Sequence, residues 1–415
     1  MTTGGGVNWV DAVVVKVLVV LLLPLLGAYL SITACVGFVH ASLNVLWWSL
    51  RTKCGNRAKG KHQEGTSPAL DYFWVTAWLV TYLVVTPVSL AVFFLSLGLP
   101  FLLITPQAGS MIHLVHKGLV TAFCAYCVWA YLLDDSVSKG GLTKARLRRS
   151  APLSHIARYF GMTMTVADDD GGGAKQTSDN CIFCYHPHGI LFWGVIGGFA
   201  NQSWGVRWNS KTLAELDVSL GTISFNNFIP FFREVNKNLG AFNVSWRGCN
   251  RALEEGRNIF IVPGGARESI HAYPGTMNVC IKQRKGFIRL ALKQGKPLVP
   301  VLSFGESDMY NMLKIEQGTA LYKVQRVYQS IFGFTIPIFW GRTIWGLPTV
   351  IPKKKPVHVV LGSPIQVERF SGDLHSPEGK SAVDALHMKY LKELEAMFHK
   401  HKEKWAHPKG VFNIR

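Results

Sequence analysis

The chain has 415 residues, of which 48% are hydrophobic and only 17% are charged, so it is more apolar than most soluble proteins. Its formal net charge of +19 favours a polyanionic partner, such as an anionic membrane face, a phosphorylated cofactor or nucleic acid. The sequence has no zinc-finger spacing, no RNA-binding signature and no basic helix with an attached coiled coil, which argues against nucleic acid.

The excess of apolar residues lies before residue 135, in three long stretches over residues 13–50, 72–104 and 118–133. About 20 apolar helical residues cross the hydrocarbon core of a bilayer, so we expect these stretches to enter a membrane. The sequence therefore predicts a membrane-embedded region over residues 1–137 and a separate catalytic domain over residues 138–415.

Two basic clusters flank the second and third apolar stretches, at residues 51–61 and 139–158. By the positive-inside rule both clusters face the cytosol, so the two stretches between them form a membrane hairpin and the catalytic domain is cytosolic. Residues 13–50 either cross the membrane once or dip in and return, and the sequence leaves both arrangements open.

Strand and helix patterns alternate through the catalytic domain after a predicted glycine-rich loop at 167–180. This alternation predicts an α/β domain with a largely parallel sheet flanked by helices. The last helix carries a continuous apolar stripe and is expected to pack on the domain, with a position on the membrane surface as the alternative. The predicted strands are 181–185, 221–225, 258–262, 298–304 and 357–361, and the predicted helices are 247–255, 285–294 and 381–404.

The sharpest motif is Tyr-His-Pro-His-Gly at residues 185–189, where a predicted strand ends. Pro187 fixes the backbone between two imidazoles and Gly189 permits a tight turn, so His186 or His188 can be held rigidly. Sites form where parallel strands end. The alternative is that the two histidines only satisfy backbone carbonyls in a loop, and the motif alone does not decide.

Cys181 and Cys184 precede the two histidines and raise the question of a zinc site. A strand sends Cys181 to the opposite face from the histidines, and structural zinc sites usually take their second pair of ligands from farther along the chain. The sequence therefore predicts no metal site.

A second motif follows the predicted strand 258–262 and contains Gly264, Gly265, Arg267 and Glu268. The two glycines let the backbone bend and present N–H groups, and Arg267 adds positive charge. Glu268 is suited to accept the second N–H of an imidazole and hold its tautomer. A turn with a solvated glutamate is the alternative interpretation.

Two further segments carry polar and basic groups that suit substrate binding. One contains Asn227 and Arg233; the other contains Arg284 and Lys285, just before a helix whose N-terminus favours phosphate. A solvated basic surface remains the alternative. The sequence has no Gly-x-Ser-x-Gly elbow and no His-Glu-x-x-His motif, which argues against a serine hydrolase and a metalloprotease.

From about residue 158 to the C-terminus, these ordered motifs make the chain similar to the type-2 diacylglycerol acyltransferase family, which includes monoacylglycerol and wax-alcohol acyltransferases. The resemblance implies an O-acyltransferase of the endoplasmic reticulum membrane and lipid droplets. It would use acyl-CoA as co-substrate, hold no bound cofactor and convert diacylglycerol to triacylglycerol. The resemblance also points to His188 as the base, His186 as its neighbour and Glu268 as its partner. Residues 159–161, Tyr-Phe-Gly, depart from the family's Tyr-Phe-Pro.

These residues suit direct transfer, in which His188 deprotonates a lipid hydroxyl as it attacks the thioester and coenzyme A leaves as a thiolate. N–H groups at Gly264, Gly265 or Asn227 are candidates to stabilise the oxyanion. The candidates for the coenzyme A phosphates are Arg233, Arg284 and Lys285. The sequence leaves open a monoacylglycerol, long-chain alcohol or lysophospholipid acceptor, a non-catalytic lipid-binding or droplet-tethering protein, and self-association into a homo-oligomer.

Overall fold

The computed structural model describes most of the predicted catalytic domain and part of the region before it. The described residues are 32, 35–36, 38–46, 67–81, 83, 111–136, 146–167, 180–202, 206–208, 216–230, 232–332, 337–405 and 410–415. Most of the predicted apolar stretches 13–50 and 72–104, the basic cluster 51–61 and the predicted loop 167–180 lie outside the described residues.

The strands are short, and most belong to one sheet. They are β1 (Thr163–Val166), β2 (Ile182–His186), β3 (Arg207–Trp208), β4 (Ser219–Thr222), β5 (Ala241–Asn243), β6 (Ile259–Ile261), β7 (Thr276–Val279), β8 (Leu298–Phe304), β9 (Asn311–Met312), β10 (Phe339–Trp340), β11 (Thr343–Ile344), β12 (Leu347–Pro348), β13 (His358–Leu361) and β14 (Val411–Ile414).

The described helices lie between the strands and before them. They are α1 (Pro68–Val80), α2 (Met111–Val128), which continues as a π-helical turn (Trp129–Leu133), α3 (Ala151–Tyr159), α4 (Ser224–Phe228), α5 (Phe232–Asn238), α6 (Trp246–Glu254), α7 (Gly286–Gln294), α8 (Ala320–Phe332) and α9 (Pro377–Trp405). Residues 38–46 are also helical.

The main sheet has the strand order β3-β1-β13-β8-β2-β6-β4-β5. Strands β8, β2, β6, β4 and β5 run parallel to one another. Strand β13 pairs antiparallel with β8, and β1 and β3 then run parallel to β13. The prediction of an α/β domain with a largely parallel sheet flanked by helices is confirmed.

The core lies on both faces of this sheet. Every residue of β2 and of β8 is buried, as expected for parallel strands covered on both sides, and such strands read as continuous apolar runs. Helices α1 and α3 cover one face, and α6, α7 and α9 cover the other. The prediction that the last helix packs on the domain is confirmed, because Val383, Tyr390 and Leu394 of α9 are buried.

The prediction of a strand over residues 221–225 is correct for residues 221 and 222 and wrong for residues 223–225. The strand ends at Thr222, and the chain turns into α4 two residues later. The Ser224 hydroxyl donates to Asn243 Oδ1 at 3.0 Å, and Asn226 Nδ2 donates to Thr222 Oγ1 at 2.9 Å. Both hydrogen bonds join side chains at the point where the strand gives way to α4.

Helix α1 packs on α3, across the predicted boundary at residue 137. Asp71 of α1 is buried, and its Oδ1 lies 2.7 Å from His155 Nδ1 and accepts from Arg158 Nε at 2.8 Å. The start of the predicted apolar stretch 72–104 therefore contributes to the packing of the catalytic domain. Within the described residues, none of the helices combines the length and the apolar character needed to span a bilayer.

Candidate active site

The site lies at the carboxyl edge of the parallel part of the sheet. Glu306 follows β8, His188 follows β2, Glu268 follows β6 and Asn227 follows β4, and these four strands are neighbours in the sheet. Because the carboxyl ends of parallel strands meet at one edge, the fold gathers these residues from distant parts of the chain.

His188 is held with one ring nitrogen fixed and the other available. Its Nδ1 lies 2.9 Å from the carbonyl oxygen of Gly189. A carbonyl only accepts, so Nδ1 carries the proton and Nε2 is the basic nitrogen. Nε2 makes no hydrogen bond to any described residue. Burial lowers the pKa of His188 to about 4, opposed by the Gly189 bond, so the ring is neutral at physiological pH.

The ring of Phe192 lies against the His188 ring, with 3.5 Å between the centroids. Phe192 has a φ of 55°, in the left-handed region that residues with a bulky side chain rarely adopt. Such backbone strain costs about 1–3 kcal/mol and clusters at functional sites. The turn after β2 is therefore a strained segment that the surrounding structure must hold in place.

Glu268 supports this turn through the backbone. Its Oε2 accepts from the His188 backbone N–H at 2.7 Å, and its Oε1 accepts from the Cys280 N–H at 2.8 Å. The prediction that Glu268 accepts the imidazole N–H is therefore wrong, because the carbonyl of Gly189 already takes that proton. Burial raises the pKa of Glu268 to about 7, and the two backbone hydrogen bonds oppose this rise.

The two glycines before Glu268 have different roles. A Cβ at Gly264 would collide with the Glu268 carboxylate, so only glycine permits this approach. The Gly265 N–H donates to the carbonyl of Val262 at 3.0 Å, which leaves it unsuited to bind an oxyanion. Of the two predicted backbone donors, only the Gly264 N–H is without a partner in the described part of the chain.

His186 was predicted beside His188 as a catalytic residue, and the structure instead buries it completely in the core. Its Nε2 lies 2.9 Å from the hydroxyl of Tyr390, on α9. Burial lowers the pKa of His186 to about 3, so the ring stays neutral. His186 therefore makes an anchoring contact with α9.

The two cysteines near the motif lie in different core clusters, with Cys181 on the α3 side of the sheet and Cys184 on the α9 side. In the part of the chain that the structure describes, no three metal-binding side chains come together.

Arg233 was predicted to meet phosphate, and the structure instead buries it in an ion-pair network. Its Nη1 lies 2.9 Å from Asp134 Oδ2 and 2.6 Å from Glu234 Oε1, and the side chain is 3% exposed. Lys237 also contacts Asp134, at 2.6 Å. Burial alone would raise the pKa of Asp134, but the hydrogen bonds from Lys237 and Ser136 hold it below its usual range. Arg233 thus joins α5 to the end of the α2 segment.

We expect Arg233→Ala to destabilise the protein by roughly 3 kcal/mol, because it removes one partner of a buried ion pair. The substrate KM of the folded fraction should stay within about twofold of wild type, because the Arg233 guanidinium is already paired with Asp134 and Glu234. Thermal melting in detergent and substrate titration measure the two quantities. A tenfold rise in KM with unchanged melting would instead make Arg233 a substrate contact.

The other predicted basic residues divide into two groups. Lys285 is paired with Asp384, with 2.6 Å between Nζ and Oδ1. Arg267 and Arg284 are exposed. Burial raises the pKa of Cys280 to about 11, and the positive charges of Arg415, Arg267 and Arg284 oppose this rise. All three positive charges therefore act on Cys280, whose backbone N–H donates to Glu268.

Sequence reasoning missed Arg415, which reaches this position because β14 pairs parallel with β7 and places Ile414 opposite Val279. No local signal in the tail pointed to the site. Sequence reasoning also made no prediction for Glu306, which follows the predicted strand 298–304. A buried carboxyl directly after an apolar strand was the available signal.

Asn227 is buried, with 8% of its surface exposed. Its side-chain Nδ2 and Oδ1 both have no hydrogen-bond partner in the described region. Proteins pair nearly all their buried polar groups, and each exception needs an explanation. A ligand that binds at the carboxyl edge would supply the missing partner.

The comparisons with known proteins place this chain among acyltransferases. A family model described as "Diacylglycerol acyltransferase" matches residues 112–413. Diacylglycerol O-acyltransferase 2B of Umbelopsis ramanniana is 31% identical, over 80% of this chain and 88% of that protein. 2-Acylglycerol O-acyltransferase 1 of Bos taurus is 32% identical, over 73% and 88%. Acyl-CoA wax alcohol acyltransferase 1 of Homo sapiens is 31% identical, over 67% and 81%.

Proposed function

Because this chain belongs to the diacylglycerol acyltransferase family, we propose that it transfers a fatty acyl group from acyl-CoA to diacylglycerol and forms triacylglycerol. The observation that carries the proposal is the state of His188. Its ring is neutral, its Nδ1 proton is held by the Gly189 carbonyl, and its Nε2 is free of described partners at the carboxyl edge of the sheet.

In the proposed reaction the acceptor hydroxyl gives its proton to His188 Nε2 while its oxygen attacks the thioester carbonyl. The new C–O bond forms, the C–S bond breaks and coenzyme A leaves as a thiolate, which takes the proton from the imidazolium. The Gly189 carbonyl stabilises the imidazolium through the Nδ1–H bond, since this bond raises the pKa of His188. The Glu268 carboxylate keeps the backbone of His188 in place.

The attack places negative charge on the former carbonyl oxygen, and preorganised N–H donors stabilise such charge. The Asn227 side-chain amide and the Gly264 N–H are the candidate donors, because both lie after strands that end at this edge. Their lack of partners among the described residues supports this role.

We expect Asn227→Ala to lower kcat by about 100-fold, the usual cost of losing one oxyanion donor. Its melting temperature should stay the same or rise, because two buried polar atoms without partners are removed. Steady-state kinetics and thermal melting of the purified variant test this. An unstable variant with unchanged kcat would show that Asn227 is a structural residue.

For acyl-CoA, we propose that Arg267, Arg284 and Arg415 meet the phosphates. Guanidinium groups bind phosphate oxygens in a bidentate manner, and the charges of all three act on Cys280, which is hydrogen-bonded to Glu268. Arg233 and Lys285, which the sequence predicted to bind phosphate, are no longer proposed for it, because each is paired with a carboxylate.

We further propose that the protein resides in the endoplasmic reticulum membrane with a cytosolic catalytic domain, and also at lipid droplets. The apolar stretches and flanking basic clusters of the sequence support this. So do Leu132 and Leu133 at the end of the α2 segment, which are 77% and 72% exposed. Trp129 beside them lies under Lys237, with 5.1 Å between Nζ and the ring centroid, a pairing suited to a membrane interface.

The acceptor is tested by supplying labelled acyl-CoA with diacylglycerol, monoacylglycerol, a long-chain alcohol or a lysophospholipid to microsomes that contain the protein. We expect diacylglycerol to be the preferred acceptor. Monoacylglycerol is the second candidate, because the 2-acylglycerol acyltransferase relative is as similar as the diacylglycerol acyltransferase relative. No transfer to any acceptor above the His188→Ala background would overturn the proposed activity.

A further inference from the structure

Glu306 is a buried carboxyl group that the reaction above does not use. It begins a short 3-10 turn directly after β8, the neighbour of β2, and is 2% exposed. Its Oε2 accepts from the Tyr185 hydroxyl at 3.0 Å, from the Gly194 N–H at 2.9 Å and from the Ser303 hydroxyl at 3.3 Å. Three donors therefore converge on one oxygen.

Two of these donors stand on either side of His188 in the chain. Tyr185 belongs to β2 and is the first residue of the motif, and Gly194 ends the strained turn that carries Phe192. Glu306 thus joins the two ends of the segment 185–194 to the neighbouring strand.

The Glu306 side chain also packs directly on the turn itself. A Cβ at Gly189 would collide with Glu306 Cγ and lie 2.8 Å from its Oε1. Gly189 has a φ of 65°, so both its backbone conformation and the available space call for glycine. The carbonyl of this same residue accepts the Nδ1 proton of His188.

We propose that Glu306 is a positioning residue for the acyl transfer. It holds the segment 185–194 so that the Gly189 carbonyl receives the Nδ1 proton of His188, and Nε2 remains free for the acceptor hydroxyl. This inference rests on the proposed function, because it concerns the geometry of the same base.

The role requires an acceptor oxygen and not a negative charge. Burial raises the pKa of Glu306 to about 7, opposed by the hydrogen bonds from Tyr185 and Gly194, so the neutral acid is well populated near neutrality. Glutamine has the shape of that neutral acid and offers a carbonyl oxygen at the position of Oε2. Alanine offers none.

The test compares Glu306→Gln and Glu306→Ala with wild type in the full-length protein, purified in detergent. We expect Glu306→Ala to lower kcat by about 10- to 100-fold, since small misplacement of a catalytic group has effects of this size. Its KM for acyl-CoA should stay within about twofold, because the phosphate contacts are unchanged. Glu306→Gln should keep at least about a third of the wild-type kcat, since it retains the acceptor.

Two results would overturn the inference. One is a folded Glu306→Ala variant with wild-type kcat, and the other is a Glu306→Gln variant as impaired as Glu306→Ala. If Glu306→Ala does not fold, Tyr185→Phe replaces it, because it removes one donor and keeps the ring. A fall in kcat with unchanged KM is then expected, and unchanged kcat would overturn the inference. Failure of the proposed function itself is recognised separately, because wild type would then show no transfer above His188→Ala.

Discussion

His188→Ala is expected to lower kcat by about 100-fold or more, because general-base catalysis by a positioned side chain contributes about 10²- to 10⁴-fold. The variant loses the nitrogen that takes the acceptor proton. It keeps the backbone N–H that Glu268 binds, so the support of the turn survives. Transfer of labelled acyl groups by purified protein, at saturating acyl-CoA and diacylglycerol, measures the loss.

The variant should also remain folded, since the ring makes one hydrogen bond in the described structure, to the adjacent carbonyl. His387→Ala is a matched control. His387 is also buried and its Nε2 lies 3.1 Å from a backbone carbonyl, that of Ile281, but it stands on α9 and outside the proposed chemistry. We expect His387→Ala to lose stability and retain transfer. Near wild-type transfer by folded His188→Ala would remove this residue from the mechanism.

Glu268→Ala should impair both stability and turnover. It leaves the buried N–H groups of His188 and Cys280 without an acceptor, and each such group costs about 1–3 kcal/mol. We expect a total loss of about 2–6 kcal/mol, together with a fall in kcat of at least tenfold, because the turn after β2 loses its hydrogen bond to the segment after β6. Thermal melting and kinetics of the same preparation give both values.

Glu268→Gln distinguishes support of the His188 backbone from the role that the sequence predicted, which was to accept the imidazole N–H. Glutamine keeps one acceptor oxygen, so about half of the stability loss is expected. A carboxylate that oriented the imidazole would instead show a large loss of kcat without a loss of stability. Unchanged melting of Glu268→Gln with strongly reduced kcat would therefore favour the ring contact over the backbone contact.

The pH dependence of the protein's stability gives a second test of the buried Glu268 carboxyl group. The fold raises the pKa of Glu268 from 4.5 to about 7 through burial, so the folded state holds this proton more tightly than the unfolded chain. The stability contributed by this protonation is fully present below pH 4.5 and is lost as the pH rises through about 7. Glu268→Gln lacks this loss, so its deficit relative to wild type should shrink between pH 5 and pH 8, as read by melting.

Local patterns predicted much of the catalytic domain correctly. The strand at 181–185 and the helix at 285–294 follow from apolar runs, from helical periodicity and from the left-handed Gly295 that ends the helix. The edge at which His188 and Glu268 meet follows from the parallel sheet, since residues after parallel strands share one side. The end of β4 was placed wrongly, because the chain turns into α4 at Ser224, whose side chain bonds Asn243 on β5, 19 residues away.

The sequence by itself determined the α/β class, the family and the motifs whose residues meet at the carboxyl edge, because periodicity, turn residues and short motifs act over a few neighbouring positions. Only the tertiary structure decided which polar atoms are partners. Arg233 bonds Asp134 across 99 residues, His186 meets Tyr390 across 204, and Tyr185 donates to Glu306 across 121. A buried polar atom bonds whichever group the packing brings within about 3 Å, and the neighbouring residues in the sequence do not determine which group that is.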